Sequence, residues 1–297
     1  MKQIVVISGK GGTGKTTVTA ALAHLMEQKV ICDTDVDAAN LHLLLSPRVY
    51  ETRDFFGSER AVVDPAECNR CGRCMEVCRF DSFALNADGY PHARDGFCEG
   101  CGACVLVCGP GALAMNPHKS GELFLSETGV GPMVHARLGI AEDNSGRLVS
   151  EVRKAAAGIA RERGLPAVLI DGPPGIGCPV IASITGTSLA VAVTEPTVSG
   201  AHDLERILSL TAHFEVPTLV VINKFDINRE ISDTIQSEAA GAGSPVIGRI
   251  PYHEGVIDAV KRRKSLVEGG PRVVKEEIVR IAREIERRLN GRMNKGE

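Results

Sequence analysis

No run of about 18 apolar residues occurs in the 297-residue chain, and without one no helix is expected to cross a bilayer. No basic block stands out against a net charge of −3, so neither nucleic acid nor a stable membrane association is implied. The opening MKQIVVISGKGG lacks the apolar stretch and small-residue cleavage site of a signal peptide. The eight histidines are scattered without a metal-ligand rhythm. A disulfide framework is a poor reading of the ten cysteines, because such scaffolds are typically small and secreted. These absences place the expected protein in a reducing cytoplasm. What is present is ordinary for a soluble globular chain, 43% apolar and 24% charged residues. The length suffices for two modest domains or one interrupted by an insertion.

Short β-rich apolar runs, QIVVIS, VICDTD, AVLIDGPPG, LAVAVTEP, TLVVINKFD and PVIGRIP, have the near-continuous character of parallel strands buried on both faces. Helical stretches such as KTTVTAALAHLMEQ, GRLVSEVRKAAAGIARERG and AHDLERILSLTAHF lie between them. That alternation predicts βαβ units and a doubly wound, mostly parallel α/β sheet. Across residues 61–117 the character changes: cysteines appear, and Gly, Asp and Pro become frequent. The expected organisation is therefore residues 1–60 and 118–297 as one α/β domain, with 61–117 inserted in it. Near the C-terminus Val274, Ile278, Ile281, Ile285 and Leu289 form a narrow apolar stripe expected to pack on the same domain.

Gly9, Gly14, Lys15 and Thr16 match G-x-x-x-x-G-K-[ST] between an expected strand and an expected helix. Gly9, Gly11, Gly12 and Gly14 allow the tight loop whose N–H groups face phosphate oxygens, with Thr13 and Thr17 in the same run. The helix start adds its positive end. Lys15 is expected at the β- and γ-phosphates and Thr16 at Mg²⁺. Lys10, directly after the first glycine, is not required by an ordinary phosphate loop. With it, KGGTGKTT resembles the deviant Walker A loop of the MinD, ParA and nitrogenase iron-protein superfamily. That resemblance implies a P-loop ATPase in which Lys10 reaches the nucleotide of a partner copy, hence an ATP-dependent homodimer. It also marks DTDVDAAN as a first switch, with Asp35 orienting the attacking water and Asp33 near Mg²⁺. LIDGPPGIG resembles a second switch, with Asp171 at a strand end and Gly175 near the γ-phosphate. Asn223 and Lys224 match a base-contacting pair, and Pro251 lies in the loop expected beside the base. Asp226 completes N-K-x-D, which leaves GTP open beside ATP.

Two blocks, CNRCGRCMEVC and CEGCGACVLVC, repeat a C-x₂-C-x₂-C-x₃-C spacing 30 residues apart. The duplication resembles bacterial two-cluster ferredoxins, which implies two [4Fe–4S] clusters with exchanged fourth ligands. One would take Cys68, Cys71, Cys74 and Cys108, the other Cys98, Cys101, Cys104 and Cys78. Zinc is the rival, but it takes four ligands from two paired C-x₂-C units rather than two runs of four. Arg79 after Cys78, and Gly109 before Pro110, depart from the ferredoxin pattern of proline directly after the fourth cysteine. Cys32 reads as core packing, and Cys178, seven residues beyond Asp171, as a redox-active or buried thiol near the second switch.

These observations set the expectation: a P-loop NTPase fold with a ferredoxin-like insert, binding MgATP and hydrolysing it slowly. Nucleotide-dependent dimerisation would be coupled to electron transfer or metallocofactor maturation, with an unidentified redox or cofactor-target protein as partner. Two other readings stand beside it, an iron–sulfur cluster carrier and a spatial-positioning ATPase.

Overall fold

The apolar runs become strands because each is buried along most of its length, with little alternation between faces. In the computed structural model, which describes residues 1–94, 96–139, 142 and 146–291, the strands are β1 (Lys2–Ser8), β2 (Lys29–Asp33), β3 (Arg48–Val63), β4 (Phe83–Leu85), β5 (Pro91–Ala93), β6 (Leu113–Thr128), β7 (Gly131–Leu138), β8 (Ala167–Pro174), β9 (Leu189–Thr194), β10 (Thr218–Asn223) and β11 (Val246–Ile250). A nine-stranded sheet runs β11-β10-β9-β1-β8-β2-β7-β6-β3. The pairs β1 with β8 and β9, β2 with β7 and β8, and β10 with β9 and β11 are parallel. Ser8, Asp33 and Asp171 are therefore brought together, since Val6, two residues before Ser8, and Asp33 both pair with Asp171.

The chain divides into two compact units. The first comprises Met1–Thr52, Leu123–Arg137 and Asn144–Glu297, and the second Arg53–Glu122 and Leu138–Asp143. In the first, helices α1 (Lys15–Leu25) and α2 (Leu41–Leu45) precede the chain's departure into the second unit. There the helices are α3 (Arg73–Val77) and α4 (Ala103–Leu106). After the return come α5 (Arg147–Glu162), α6 (Cys178–Ile184), α7 (Val198–His213), α8 (Arg229–Gly241), α9 (Glu254–Lys261), α10 (Leu266–Gly269) and α11 (Arg272–Gly291). The stripe on α11 packs into the main core: Val274, Ile278, Ile281 and Ile285 are fully buried, with Leu289 against them. Each such side chain contributes about 2 kcal/mol of burial. Among the described residues no helix is long and apolar enough to cross a membrane.

The second unit carries the thiol blocks. Gly72 and Gly102, at φ 78° and 72°, precede α3 and α4 in the same left-handed conformation, so the sequence duplication is also a structural one. β4 and β5 form an antiparallel ladder with Ala84 opposite His92. Ala61, Cys74, Phe83, Cys104 and Leu113 make a small apolar cluster. The two helices bury Cys74 and Cys104 and leave Cys71 and Cys101 exposed, while Cys68, Cys78, Cys98 and Cys108 are half-buried; all are free.

This arrangement corrects the iron–sulfur expectation. Cys68, Cys71, Cys74 and Cys108 line one cavity together with Val63, Pro91 and Leu113. Even so, among the described residues no three His, Cys, Asp or Glu side chains form a group that could hold a metal ion. Cys74 and Cys104 belong to the apolar cluster, while Cys71 and Cys101 are exposed. The two [4Fe–4S] clusters, and with them a ferredoxin-like insert, are withdrawn on that finding. Electron transfer, metallocofactor maturation, cluster carriage and the redox or cofactor-target partner rested on the clusters and are withdrawn too. The α/β nucleotide fold stands.

Candidate nucleotide site

The phosphate loop follows β1 and ends where α1 begins. Gly14 sits at φ 94°, where a side chain is strained, and a Cβ there would lie 2.3 Å from the Asn223 amide nitrogen. A Cβ at Gly9 would meet Asp203 at 2.4 Å, so the loop's first glycine is required by the close approach of α7. Gly11 and Gly12 face open space. Asn223 Nδ2 donates to Thr13 O at 2.7 Å, and Ser8 Oγ donates to Lys10 O at 2.9 Å, so the loop is held from both ends.

Lys15, the first residue of α1, is 6% exposed and sits among carboxylates. Its Nζ is 3.0 Å from Asp171 Oδ1 and 3.5 Å from Asp35 Oδ2. Burial opposes the ammonium charge, but Asp171, Asp35 and Asp33 outweigh it and hold the lysine above its usual value. Asp171, fully buried, accepts from Thr16 Oγ1 at 2.7 Å and Thr19 Oγ1 at 2.8 Å. Asp33 accepts from the Asp35 and Leu41 amides at 3.1 and 3.3 Å. Burial and then the charge of Asp171 push its carboxyl well above the ordinary range. Burial also raises Asp35, against the pull of Lys15. The Gly175 amide donates to Ser8 O at 2.9 Å, which anchors the turn after β8 to the strand feeding the loop.

The expected residues 9–17, Asp33, Asp35, Asp171 and Gly175 thus come together. Asn223 and Lys224 join them; Lys224 Nζ lies 3.4 Å from Gly12 O. Pro251 follows β11, and the next amide, Tyr252 N, donates to Asp226 Oδ1 at 2.7 Å. Cys178 is exposed at the first residue of α6, and Cys32 is buried in β2, where burial pushes its thiol up.

Several functional contacts escaped the sequence reading. Lys10 Nζ is 2.7 Å from Glu195 Oε1 and donates to Ser199 Oγ at 3.0 Å and Thr197 Oγ1 at 3.3 Å. Lys224 Nζ is 3.0 Å from Glu195 Oε2. Both lysines hold Glu195 below the usual carboxylate range, although partial burial acts the other way. Thr19 was missed as well. For Glu195 the available signal was a carboxylate directly after the apolar run of β9.

The α2 helix, just past the first switch, is tied to the sheet by a ring stack. His42 lies over His135 at 5.9 Å and 11°, and His135 over Phe124 at 5.0 Å and 26°. Burial, then the neighbouring His42, push His135 down to about 4.

The residues fit MgATP on three counts. The Thr13 hydroxyl is buried in the loop with no hydrogen-bond partner. Open space fronts Gly11 and Gly12. The donors around Thr16 are hydroxyl and carboxylate oxygens, which suit a hard cation.

Comparison with known proteins agrees with this geometry. The profile of the CobQ/CobB/MinD/ParA nucleotide-binding domain family matches residues 4–267. The uncharacterized protein MJ0578 of Methanocaldococcus jannaschii is 34% identical over 232 residues, 76% of this chain and 79% of that one. A putative septum site-determining protein MinD of Mesostigma viride is 26% identical over 274 residues, 90% of this chain and 76% of that one. The cell division ATPase MinD of Pyrococcus furiosus shares the fold at a TM-score of 0.56, with 20% identity over 96% of this chain and 98% of that one. The chain is a P-loop ATPase and belongs to the CobQ/CobB/MinD/ParA nucleotide-binding family.

Proposed function

We propose that the chain is a nucleotide-switched ATPase of the spatial-positioning type, which binds MgATP, pairs with a second copy in that state and hydrolyses slowly. The single observation that carries the reading is the placement of two lysines with different jobs. Lys15 is buried against Asp171 and Asp35, whereas Lys10 stands 30% exposed and pairs with Glu195 instead. A buried lysine serves the phosphates of its own site. An exposed one on the same loop can serve a partner's. Relatives named as septum site-determining proteins, and a neighbouring fold solved as a MinC:MinD complex, support positioning over chemistry on a small-molecule substrate.

In this reading the backbone of residues 9–14 cradles the phosphates, and Lys15 moves from the carboxylates to the β- and γ-phosphates. Thr16 and, through water, Asp171 and Asp33 would hold Mg²⁺, which neutralises charge on the phosphoryl group when bound. Asp35 orients the attacking water. Its carboxyl, raised by burial, is a better proton acceptor than an ordinary aspartate. Gly175, at φ 92°, lets the second switch follow the γ-phosphate. Asn223, Lys224 and the loop at Pro251 flank the base. Asp226 already spends one oxygen on Tyr252 N, which leaves it a poor bidentate acceptor for guanine and favours ATP.

The test is light scattering with and without a non-hydrolysable ATP analogue, alongside imaging of a fluorescent fusion in living cells. An ATP-dependent dimer and a patterned distribution that collapses in Lys15→Ala support the reading. A monomer in every nucleotide state, or a uniform distribution unaffected by Lys15→Ala, overturns it.

A further inference from the structure

Glu195 stands apart from Asp171 and Asp35, the two acids paired with Lys15. It follows β9, and each of its oxygens takes a different lysine: Oε1 takes Lys10 at 2.7 Å and Oε2 takes Lys224 at 3.0 Å. Those lysines belong to different segments, the phosphate loop and the end of β10. Lys10 also donates to Thr197 and Ser199, and Thr197 Oγ1 caps α7 by accepting from Gly200 N at 2.9 Å. Lys224 reaches back to Gly12 O. One side chain thereby ties the loop, the exit of β10 and the first turn of α7 into a ring. Val198, within that turn, is 79% exposed.

We propose that Glu195 is a releasable counter-ion, a positioning residue that gives up Lys10 to phosphate oxygens when a nucleoside triphosphate binds, freeing the first turn of α7. The inference rests on the reading that this loop binds a triphosphate. Its physical basis is competition. A triphosphate carries several negative charges against one on Glu195, and both lysines are about a third exposed, so neither is locked in place by packing. Gly200 packs closely against the segment after β9, since a Cβ there would lie 2.3 Å from Glu195 O. While the ring is closed, Lys10 holds the turn through Thr197 and Ser199.

The test uses the full-length protein and its Glu195→Gln and Glu195→Asp variants. Glu195→Gln keeps the shape and removes the charge. Affinity for MgATP should tighten by about two- to fivefold, the scale of one partly exposed ion pair, with Glu195→Asp close to wild type. Hydrogen exchange gives a second readout that needs no nucleotide. Amides of residues 197–201 should exchange faster in Glu195→Gln than in wild type, and MgATP should speed them in wild type towards the variant's rate. Unchanged or weaker ATP binding in Glu195→Gln overturns the proposal, and so does unchanged exchange in the nucleotide-free variant. A wild type that takes up no triphosphate sinks the function reading itself, while exchange in the nucleotide-free variant still decides whether Glu195 holds the turn.

Discussion

Replacing Lys15 with methionine should destabilise the protein, and the penalty should grow with pH. Lys15 is buried against Asp171 and Asp35, and Asp33 is fully enclosed beside them. Removing one partner of a buried ion pair costs about 3–5 kcal/mol, because a charge is left uncompensated. In Lys15→Met three acids lose their common cation, so the upper half of that range is expected at pH 8. The carboxyls have an escape, which is protonation. Asp33 is already pushed above the ordinary range by burial and by Asp171. An acid whose folded value lies above its unfolded value costs stability above the folded value. That cost fades as pH falls towards the unfolded value. The variant should therefore lie about 4 kcal/mol below wild type at pH 8 and draw closer by about 1 kcal/mol or more at pH 5. Urea unfolding of both proteins at the two pH values, without nucleotide, measures this. Adding Asp171→Asn should restore part of the loss by removing one unpaired charge. A penalty under about 1 kcal/mol at pH 8, or one that grows as pH falls, would refute the electrostatic account of the site.

Three further outcomes follow from other contacts. Gly14→Ala forces a side chain into φ 94° and against the Asn223 amide; it should cost about 1–2 kcal/mol in thermal unfolding and weaken ATP binding. His135 is buried neutral at about 4, while an unfolded imidazole titrates near 6.5. The unfolded chain thus binds more protons between these values, and wild type should lose up to about 3 kcal/mol as pH falls from 6.5 to 4. His135→Phe should flatten that slope in the same assay, and an unchanged slope would remove the ring stack from the explanation. Lys10→Ala should bind MgATP within a few-fold of wild type but fail to dimerise by light scattering; a normal dimer would assign the interface elsewhere.

Much of this was legible in the sequence for identifiable reasons. Strands such as β1 and β8 are buried on both faces, so their runs are continuous and stand out against the helices. The phosphate loop is local in sequence, and local geometry is what a motif encodes. Glu195 was not legible, because its role depends on β9 lying between β1 and β10, and strand order is not written in any one run. Thr19 was hidden for the same reason: it faces Asp171 only because β1 pairs with β8. The thiol blocks failed in the opposite direction. A repeated spacing fixes where cysteines fall along the chain, not whether they make a metal site, and among the described residues none is formed. Here Cys74 and Cys104 turn into an apolar cluster while Cys71 and Cys101 face solvent.

The most direct test of the switch is sedimentation velocity on the wild-type chain in three states: nucleotide-free, with MgADP, and with a non-hydrolysable MgATP analogue. The account predicts monomer in the first two and dimer in the third. A single species across all three, with the analogue bound, would contradict it.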